Sequence, residues 1–280
     1  MKQHSLLFLL ILVTFLSCQK TSIEPGSING GVYNSDATLG ERVWTLKNVG
    51  KYSDQNLTAA RNDGGIVFGG NSQMERMLYS NWDKTWLGYP VINRAIGGTT
   101  WAEQIPYIDD LFTDYKPSVI ILYQGENEYL RYPVSSYKKV SSTIEPNFIK
   151  FYDILRSRNP KAKIIICSMV ACPELFKRGY DVYKTSTGQY IYDIDNLNNI
   201  YKNKLTKDNS LTGTTTRFVD IKPLYQQYFP NRWYDASKFE SDGIHIKLLN
   251  YTPWYNKLKP VVDSLYKNIQ PAAPWPWGHW

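Results

Sequence analysis

The stretch GGNSQMERM, residues 69–77, links an apolar run at 66–68 to a pattern typical of a helix. Ser72 is followed three places later by Glu75, which is the S-x-x-E spacing of a capping box. Ser72 is therefore either a helix cap alone or a nucleophile held at the end of a strand. The choice depends on whether the rest of the chain supplies a base and an oxyanion hole.

Five apolar segments read as buried strands and alternate with segments of helical periodicity. The segment at 118–125 is continuously hydrophobic, as is typical of a parallel strand buried on both faces. Such alternation predicts a three-layer α/β/α fold with a mostly five-stranded parallel sheet. The predicted strands are 64–68, 89–96, 118–125, 161–170 and 216–221, and the predicted helices are 73–83, 100–115, 134–158, 196–206 and 246–268.

The two ends of the chain differ from its body in composition and in hydrophobic pattern. The apolar run from Leu6 to Val13 is shorter than the about 20 residues that span a bilayer and has the flanks of a secretory signal. Ser17 before Cys18 resembles a bacterial lipoprotein signal, with Cys18 as the lipidated residue; a plain secretory signal cut near residue 20 is the alternative. A lipid-anchored cell-envelope protein is expected, with a signal at 1–17, a tether at 18–40, one domain at 41–268 and a Pro/Trp-rich tail at 269–280.

Composition argues against several partner classes. The formal net charge of +7 is spread without a basic run, so no nucleic-acid partner is expected. No Cys/His cluster with metal-ligand spacing and no phosphate loop occurs, so neither a metal nor a cofactor is predicted. Cys167 and Cys172 are expected to be buried free thiols, because five extended residues span about 16 Å, whereas a disulfide needs Cα atoms within about 7 Å.

Polar residues follow the predicted strands, where the functional groups of open parallel sheets collect. His245 is the single histidine between the signal and the tail, and Asp242 precedes it by three residues. A hydrolase of the Ser-His-Asp type needs such a base and such an acid to orient it. The alternative for this segment is a helix N-terminus capped by Asp242, with an incidental histidine.

Two further loops offer the donors of an oxyanion hole. Gly98 lies in the loop after the second strand, where a residue without Cβ allows close backbone approach. Asn127 lies in the loop after the third strand and carries an amide NH2. Donors of both kinds stabilise a developing anion. The alternatives are an ordinary glycine turn and an ordinary loop asparagine.

Taken in order, four segments resemble the blocks of the SGNH or GDSL hydrolases: FGGNSQ (68–73), INRAIGGTT (92–100), YQGENEY (123–129) and SDGIHI (241–246). The resemblance covers about residues 60 to 265 and implies a flavodoxin-like fold. Two positions depart from the family pattern: Asn71 stands where Asp or Ser is usual, and Glu128 where Asp is frequent. The residues that match family roles are Ser72 as nucleophile, Asp242 and His245 as acid and base, and Ser72, Gly98 and Asn127 as the oxyanion hole.

The resemblance implies a serine esterase that acts on an O-acyl group. An acetylated carbohydrate is the expected substrate, since the 22 Tyr and 9 Trp could supply surfaces for sugar rings. A lipid or lysophospholipid ester is an alternative substrate, and a glycan-binding lipoprotein without turnover is an alternative function. A β-hairpin predicted at 179–195 is either a surface excursion or a rim of the binding cleft.

Overall fold

The computed structural model describes residues 37–48, 64–77, 85–86, 89–131, 140–177, 183–184, 190–191, 193–212, 215–227 and 233–266. The predicted signal, Cys18, most of the predicted tether and the Pro/Trp-rich tail lie outside these residues. No helix within the described part of the chain combines the length and the apolarity needed to cross a membrane.

The centre of the molecule is a six-stranded sheet in the order β2-β3-β1-β4-β5-β8. The five strands from β3 to β8 are parallel, and β2 joins the edge of β3 antiparallel. The predicted three-layer α/β fold with a five-stranded parallel sheet is therefore confirmed. The strands of this sheet are β1 (Ile66–Gly70), β2 (Thr85–Trp86), β3 (Tyr89–Asn93), β4 (Val119–Tyr123), β5 (Lys163–Cys167) and β8 (Arg217–Val219).

The central pair of strands determines where the segment after β1 begins. All residues of β1 and β4 are buried, and their register places Gly70 opposite Tyr123. A Cβ on Gly70 would lie 1.9 Å from the Tyr123 carbonyl oxygen, and the Gly70 φ is +130°. Only glycine tolerates both conditions. The chain therefore leaves β1 pressed against the carboxyl end of β4.

Nine α-helices surround this sheet within the described residues. Residues 100–115, predicted as one helix, instead form α3 (Trp101–Gln104), a 3₁₀ turn at Ile105–Tyr107, α4 (Ile108–Leu111) and a second 3₁₀ turn at Thr113–Tyr115. The prediction was wrong because Pro106 has no N–H to continue an α-helical ladder. The helices are α1 (Leu39–Asn48), α2 (Ser72–Arg76), α3 (Trp101–Gln104), α4 (Ile108–Leu111), α5 (Glu126–Arg131), α6 (Val140–Arg158), α7 (Pro173–Lys177), α8 (Asp193–Thr212) and α9 (Thr252–Tyr266).

The last predicted helix begins later than its sequence pattern indicates. Residue Ile246 pairs with Phe239 in an isolated antiparallel bridge, and a 3₁₀ helix at Leu248–Tyr251 leads into α9. The segment around His245 is therefore a tight turn and not the first turn of a helix. The predicted start of this helix at residue 246 was wrong.

Two pairs of short antiparallel strands lie outside the main sheet. Strands β6 (Tyr183–Lys184) and β7 (Tyr190–Ile191) pair antiparallel within the hairpin predicted at 179–195. The predicted end at residue 195 was wrong, because α8 begins at Asp193. Strands β9 (Gln226–Gln227) and β10 (Trp233–Tyr234) form the second pair.

The two cysteines of the body are both buried and both free, which confirms their predicted state. Cys167 ends β5, where its sulfur accepts a 3.4 Å hydrogen bond from the Trp254 indole N–H. Burial raises the pKa of the Cys167 thiol to about 12 and raises that of Cys172 still further. Neither sulfur is therefore an activated nucleophile.

Candidate active site

Ser72 is the first residue of α2, directly after β1. The helix cap is Asn71, whose side-chain oxygen accepts a 3.0 Å hydrogen bond from the Gln73 N–H. The predicted capping box of Ser72 with Glu75 is therefore wrong. The Glu75 carboxylate instead accepts a 2.6 Å bond from the Gly97 N–H in the loop after β3. Because Asn71 caps the helix, the Ser72 hydroxyl has no capping role.

The Ser72 hydroxyl faces the histidine predicted as its base. The distance from His245 Nε2 to Ser72 Oγ is 2.9 Å, although 173 positions separate the two residues. On the other side of the ring, His245 Nδ1 lies 2.6 Å from Asp242 Oδ2. If Nδ1–H donates to Asp242, Nε2 is left as an acceptor for the serine proton. The structure thus brings together the three residues that the sequence pattern singled out.

A single carboxylate both shapes the turn and orients the imidazole. Asp242 Oδ1 accepts hydrogen bonds from the Ile244 N–H at 2.8 Å and the His245 N–H at 3.0 Å, while Oδ2 faces the ring. Burial opposes ionisation of Asp242, but hydrogen bonds from the His245 ring and from these two N–H groups outweigh it. The pKa of Asp242 is therefore well below its usual range. The alternative of a helix N-terminus capped by Asp242 is wrong, because no helix begins at this turn; the carboxylate holds the turn and orients the imidazole.

The loop after β3 lies directly against the nucleophile. A Cβ on Gly97 would lie 3.2 Å from the Ser72 Cβ, so glycine allows this close approach. Gly98 follows with a φ of +76°, a conformation that favours glycine. Across the site, Asn127 Nδ2 donates a 2.8 Å hydrogen bond to the Thr99 carbonyl, which leaves its second amide hydrogen for another acceptor. Both predicted donors thus belong to segments that meet beside Ser72.

Gln73 has a role that the sequence does not reveal. Its Nε2 donates to the Ile244 carbonyl at 2.7 Å, and its Oε1 accepts from the Ile246 N–H at 3.1 Å. These contacts hold the backbone on both sides of His245 to the residue that follows the nucleophile. A lone glutamine at the start of a helix carries no signal for a contact across more than 170 positions.

Glu126 is a second residue outside the predicted site. It is buried, with Oε1 accepting from the Tyr123 hydroxyl at 2.6 Å and Oε2 accepting from Asn71 Nδ2 at 2.9 Å. Burial raises the pKa of Glu126 to about 7 in spite of hydrogen bonds from Tyr123, Asn71 and Gln73. An aspartate at position 71 would place a second carboxylate beside this one, whereas Asn71 donates to it. The contact gives a physical reason for the unusual Asn71.

The other unusual residue, Glu128, lies behind the loop that carries Gly98. Its Oε1 accepts a 2.7 Å hydrogen bond from the Trp101 N–H at the start of α3. Among the described residues Oε2 has no hydrogen-bond partner, and burial raises the pKa of Glu128 to about 7. Glu128 therefore contacts the loop before α3, and no hydrogen bond joins it to Ser72 or His245 among the described residues.

Comparison with protein families gives one match that covers most of the chain. The model of the family described as GDSL-like Lipase/Acylhydrolase matches residues 55–252. This range includes every residue of the candidate site described above. A search of curated protein sequences finds no match.

Solved structures share the fold at low sequence identity. A GDSL-like lipase from Bacteroides thetaiotaomicron VPI-5482 has a TM-score of 0.51 and 14% identity, covering 82% of this chain and 98% of its own. A carbohydrate esterase family 3 structure from Talaromyces cellulolyticus has a TM-score of 0.51 and 11% identity, covering 74% and 100%. A mutant acetyl esterase with an acetate ion has a TM-score of 0.52 and 12% identity, covering 74% and 100%.

Proposed function

This chain belongs to the GDSL-like lipase/acylhydrolase family of carboxylic ester hydrolases, and from that premise we propose that it cleaves an O-acyl ester through Ser72, His245 and Asp242. The observation that carries the proposal is the continuous line of contacts from Asp242 through the His245 ring to Ser72 Oγ. A serine is a weak nucleophile unless an adjacent base takes its proton.

The proposed reaction begins when His245 Nε2 accepts the Ser72 proton and Oγ attacks the ester carbonyl carbon. The resulting oxyanion lies in a hole formed by the N–H groups of Ser72 and Gly98 and the amide of Asn127. Collapse of this intermediate breaks the bond to the alkoxy oxygen, which leaves with the proton from His245. A water molecule then attacks the acyl-serine, His245 takes its proton, and the carboxylic acid is released as Ser72 is reprotonated.

We propose an acetylated carbohydrate as the substrate. The fold is shared with structures described as a carbohydrate esterase and as an acetyl esterase, which supports this substrate class. The high aromatic content, with 22 Tyr and 9 Trp, is consistent with contacts to the apolar faces of sugar rings.

The mechanism is tested by Ser72→Ala and by covalent labelling. Ser72→Ala is expected to abolish hydrolysis of 4-nitrophenyl acetate, and a fluorophosphonate probe is expected to modify the wild-type protein at Ser72. Ser210→Ala, which changes an exposed serine of α8, serves as the matched control and retains full activity. Unchanged turnover in Ser72→Ala, or a probe attached to another residue, would contradict the mechanism.

The substrate class is tested on natural esters. Acetate release from acetylated xylo-oligosaccharides is compared with fatty-acid release from lysophosphatidylcholine, using wild type and Ser72→Ala. Ser72-dependent release of acetate alone supports the carbohydrate proposal. Release of fatty acid alone would indicate a lipid esterase instead. If the protein is labelled at Ser72 but hydrolyses neither ester, the proposed carbohydrate substrate is wrong.

We further propose that the protein is anchored in the bacterial cell envelope through a lipid on Cys18. Cys18 lies outside the described residues, so the support comes from the sequence: Leu16-Ser17-Cys18 follows an apolar run. Radiolabelled palmitate fed to expressing cells is expected to enter wild-type protein and not Cys18→Ser. Equal label in both proteins would refute the anchor without affecting the esterase proposal.

A further inference from the structure

The Gly97–Gly98 segment is held by charged side chains on nearly every side. Its two residues have four backbone polar groups. Glu75 accepts from the Gly97 N–H at 2.6 Å, Arg42 Nη2 donates to the Gly97 carbonyl at 3.0 Å, and Arg131 donates to the Gly98 carbonyl. Among the described residues, the Gly98 N–H is the one group of the four without a hydrogen-bond partner. It is also the group proposed to donate to the oxyanion.

Arg42 acts on the same peptide unit as this free donor. The Gly97 carbonyl and the Gly98 N–H belong to one planar trans peptide, so they point in opposite directions. When the Arg42 guanidinium binds the Gly97 carbonyl, it therefore also fixes the direction of the Gly98 N–H. This N–H faces away from α1. Arg42 is half-buried and reaches this carbonyl from 55 positions upstream.

The two glycines make such a restraint necessary. Glycine populates positive and negative φ with similar ease, so a peptide between two glycines can rotate at low cost. A rotated peptide would point the Gly98 N–H away from the acyl oxygen. The bond from Arg42 is charge-assisted and opposes this rotation. Polarisation of the carbonyl also strengthens the N–H of the same peptide as a donor.

We propose that Arg42 is a positioning residue of the oxyanion hole, which locks the Gly97–Gly98 peptide so that the Gly98 N–H meets the developing oxyanion. This inference rests on the proposed esterase function. Arg42 lies outside residues 55–252, the range that matches the family model. Helix α1 thus contributes to a site whose other named residues all lie within that range.

The test compares Arg42→Met, which keeps the aliphatic stem, with Arg42→Lys, which keeps a cation with a single donor group. Hydrolysis of 4-nitrophenyl acetate and inhibition by phenylboronic acid are measured for each variant. The boronic acid forms a tetrahedral adduct with an activated serine, so its Ki reports on the hole. Thr45→Ala is the matched control, because Thr45 bonds within α1 to the Glu41 carbonyl and leaves the loop untouched.

Arg42→Met is expected to lower kcat about tenfold, less than the 10²–10³ for removal of a hole donor itself. KM is expected to stay within about twofold, and the boronate Ki to weaken by about the factor lost in kcat. Arg42→Lys should recover part of both losses, while Thr45→Ala matches wild type. A purely structural role of Arg42 would lower the melting temperature without this parallel loss of kcat and boronate affinity.

The outcomes separate this inference from the function on which it rests. If wild type shows Ser72-dependent hydrolysis and Arg42→Met retains its kcat and boronate Ki, the role of Arg42 is wrong and the esterase proposal stands. If wild type shows no Ser72-dependent hydrolysis, both proposals fall. If Arg42→Met does not fold, Arg42→Ala decides, because alanine is a good helix former and has no donor: wild-type kcat and Ki in that folded variant would overturn the role of Arg42.

Discussion

At the scale of single residues, the site depends on groups that each serve two partners. Asn71 caps α2 through its oxygen and donates to Glu126 through its nitrogen. Asp242 holds the backbone of its own turn with one oxygen and the His245 ring with the other. Such double contacts fix rotamers without requiring further residues. The orientation of the imidazole is therefore set before any substrate binds.

The first prediction concerns Asn127 as a hole donor. Asn127→Ala should lower kcat for 4-nitrophenyl acetate on the order of 100-fold, because the amide stabilises the transition state more than the ground state. KM should change little. Steady-state kinetics provide the measurement, and Asn127→Asp, which keeps the size of the side chain but replaces a donor with an acceptor, should be at least as impaired. Wild-type kcat in Asn127→Ala would remove this residue from the hole.

The second prediction concerns the pH dependence of stability at Glu128. Its pKa is 4.5 in the unfolded reference and about 7 in the fold, because burial disfavours the carboxylate. Between these values the folded protein holds a proton that the unfolded chain has lost, so the free energy of unfolding falls as pH rises from 5 to 8. Glutamine cannot ionise. Glu128→Gln should therefore exceed wild type by about 1 kcal/mol at pH 5 and by about 3 kcal/mol at pH 8.

Urea unfolding at the two pH values checks this prediction. Glu126 also has a pKa raised to about 7, but it titrates in both proteins and cancels in the difference. A stability difference between Glu128→Gln and wild type that is the same at pH 5 and pH 8 would contradict a raised Glu128 pKa.

At the scale of elements, the sequence predicted strands better than helix ends. The five parallel strands were predictable because buried parallel strands are continuous apolar runs, as in β4. The helix predicted at 100–115 failed at Pro106, which breaks the α-helical ladder although the apolar spacing continues. The cap of α2 was misplaced by one residue, because Asn71 and Ser72 are both good caps and only tertiary contacts decide between them.

The third prediction tests the junction of β1 with α2. Gly70→Ala would place a Cβ 1.9 Å from the Tyr123 carbonyl oxygen at a φ of +130°. Strain and overpacking together should lower the free energy of unfolding by about 3 kcal/mol or more. Since Ser72 lies two residues further on, kcat should also fall. Thermal unfolding and esterase assays are the measurements.

The control for this substitution is Gly40→Ala in α1. A Cβ there would meet its nearest atom, the Tyr107 hydroxyl, at 3.4 Å, and alanine is the better helix former. Gly40→Ala should leave stability unchanged or slightly raised. A Gly70→Ala protein as stable as Gly40→Ala would show that β1 and β4 can separate locally without cost.

At the scale of the whole molecule, the candidate site joins five distant parts of the chain. The sequence indicated these residues through their chemical types and spacing: a serine, the one histidine between signal and tail, an aspartate three places before it, and donors after two strands. It did not indicate Gln73, Glu126 or Arg42. Their roles arise from contacts made by common polar side chains with backbone groups or neighbours far along the chain, which no local pattern encodes.

The last prediction tests one of these long connections, between Gln73 and the segment around His245. Gln73 pairs with the backbone of Ile244 and Ile246, while Tyr251 donates to Gln73 Oε1 at 2.9 Å. Gln73→Leu keeps the bulk but leaves buried partners unsatisfied, which should lower the free energy of unfolding by about 3 kcal/mol. It should also slow fluorophosphonate labelling of Ser72 about tenfold or more, because a small displacement of the base impairs proton transfer.

Tyr251→Phe separates these two effects. It removes the hydroxyl that donates to Oε1 and to the backbone carbonyl of the same glutamine but leaves both contacts of Gln73 with the histidine segment in place. It should therefore cost about 1–2 kcal/mol of stability with less than a threefold change in labelling rate. Both variants are assayed at a temperature where each is fully folded. If Gln73→Leu labels as fast as Tyr251→Phe, the His245 turn holds its position without Gln73, through contacts such as those of Asp242, the Phe239–Ile246 bridge and the Glu240 N–H bond to the His245 carbonyl. If labelling of Ser72 is slower in Gln73→Leu but not in Tyr251→Phe, the Gln73 side chain from α2 positions His245 as the base.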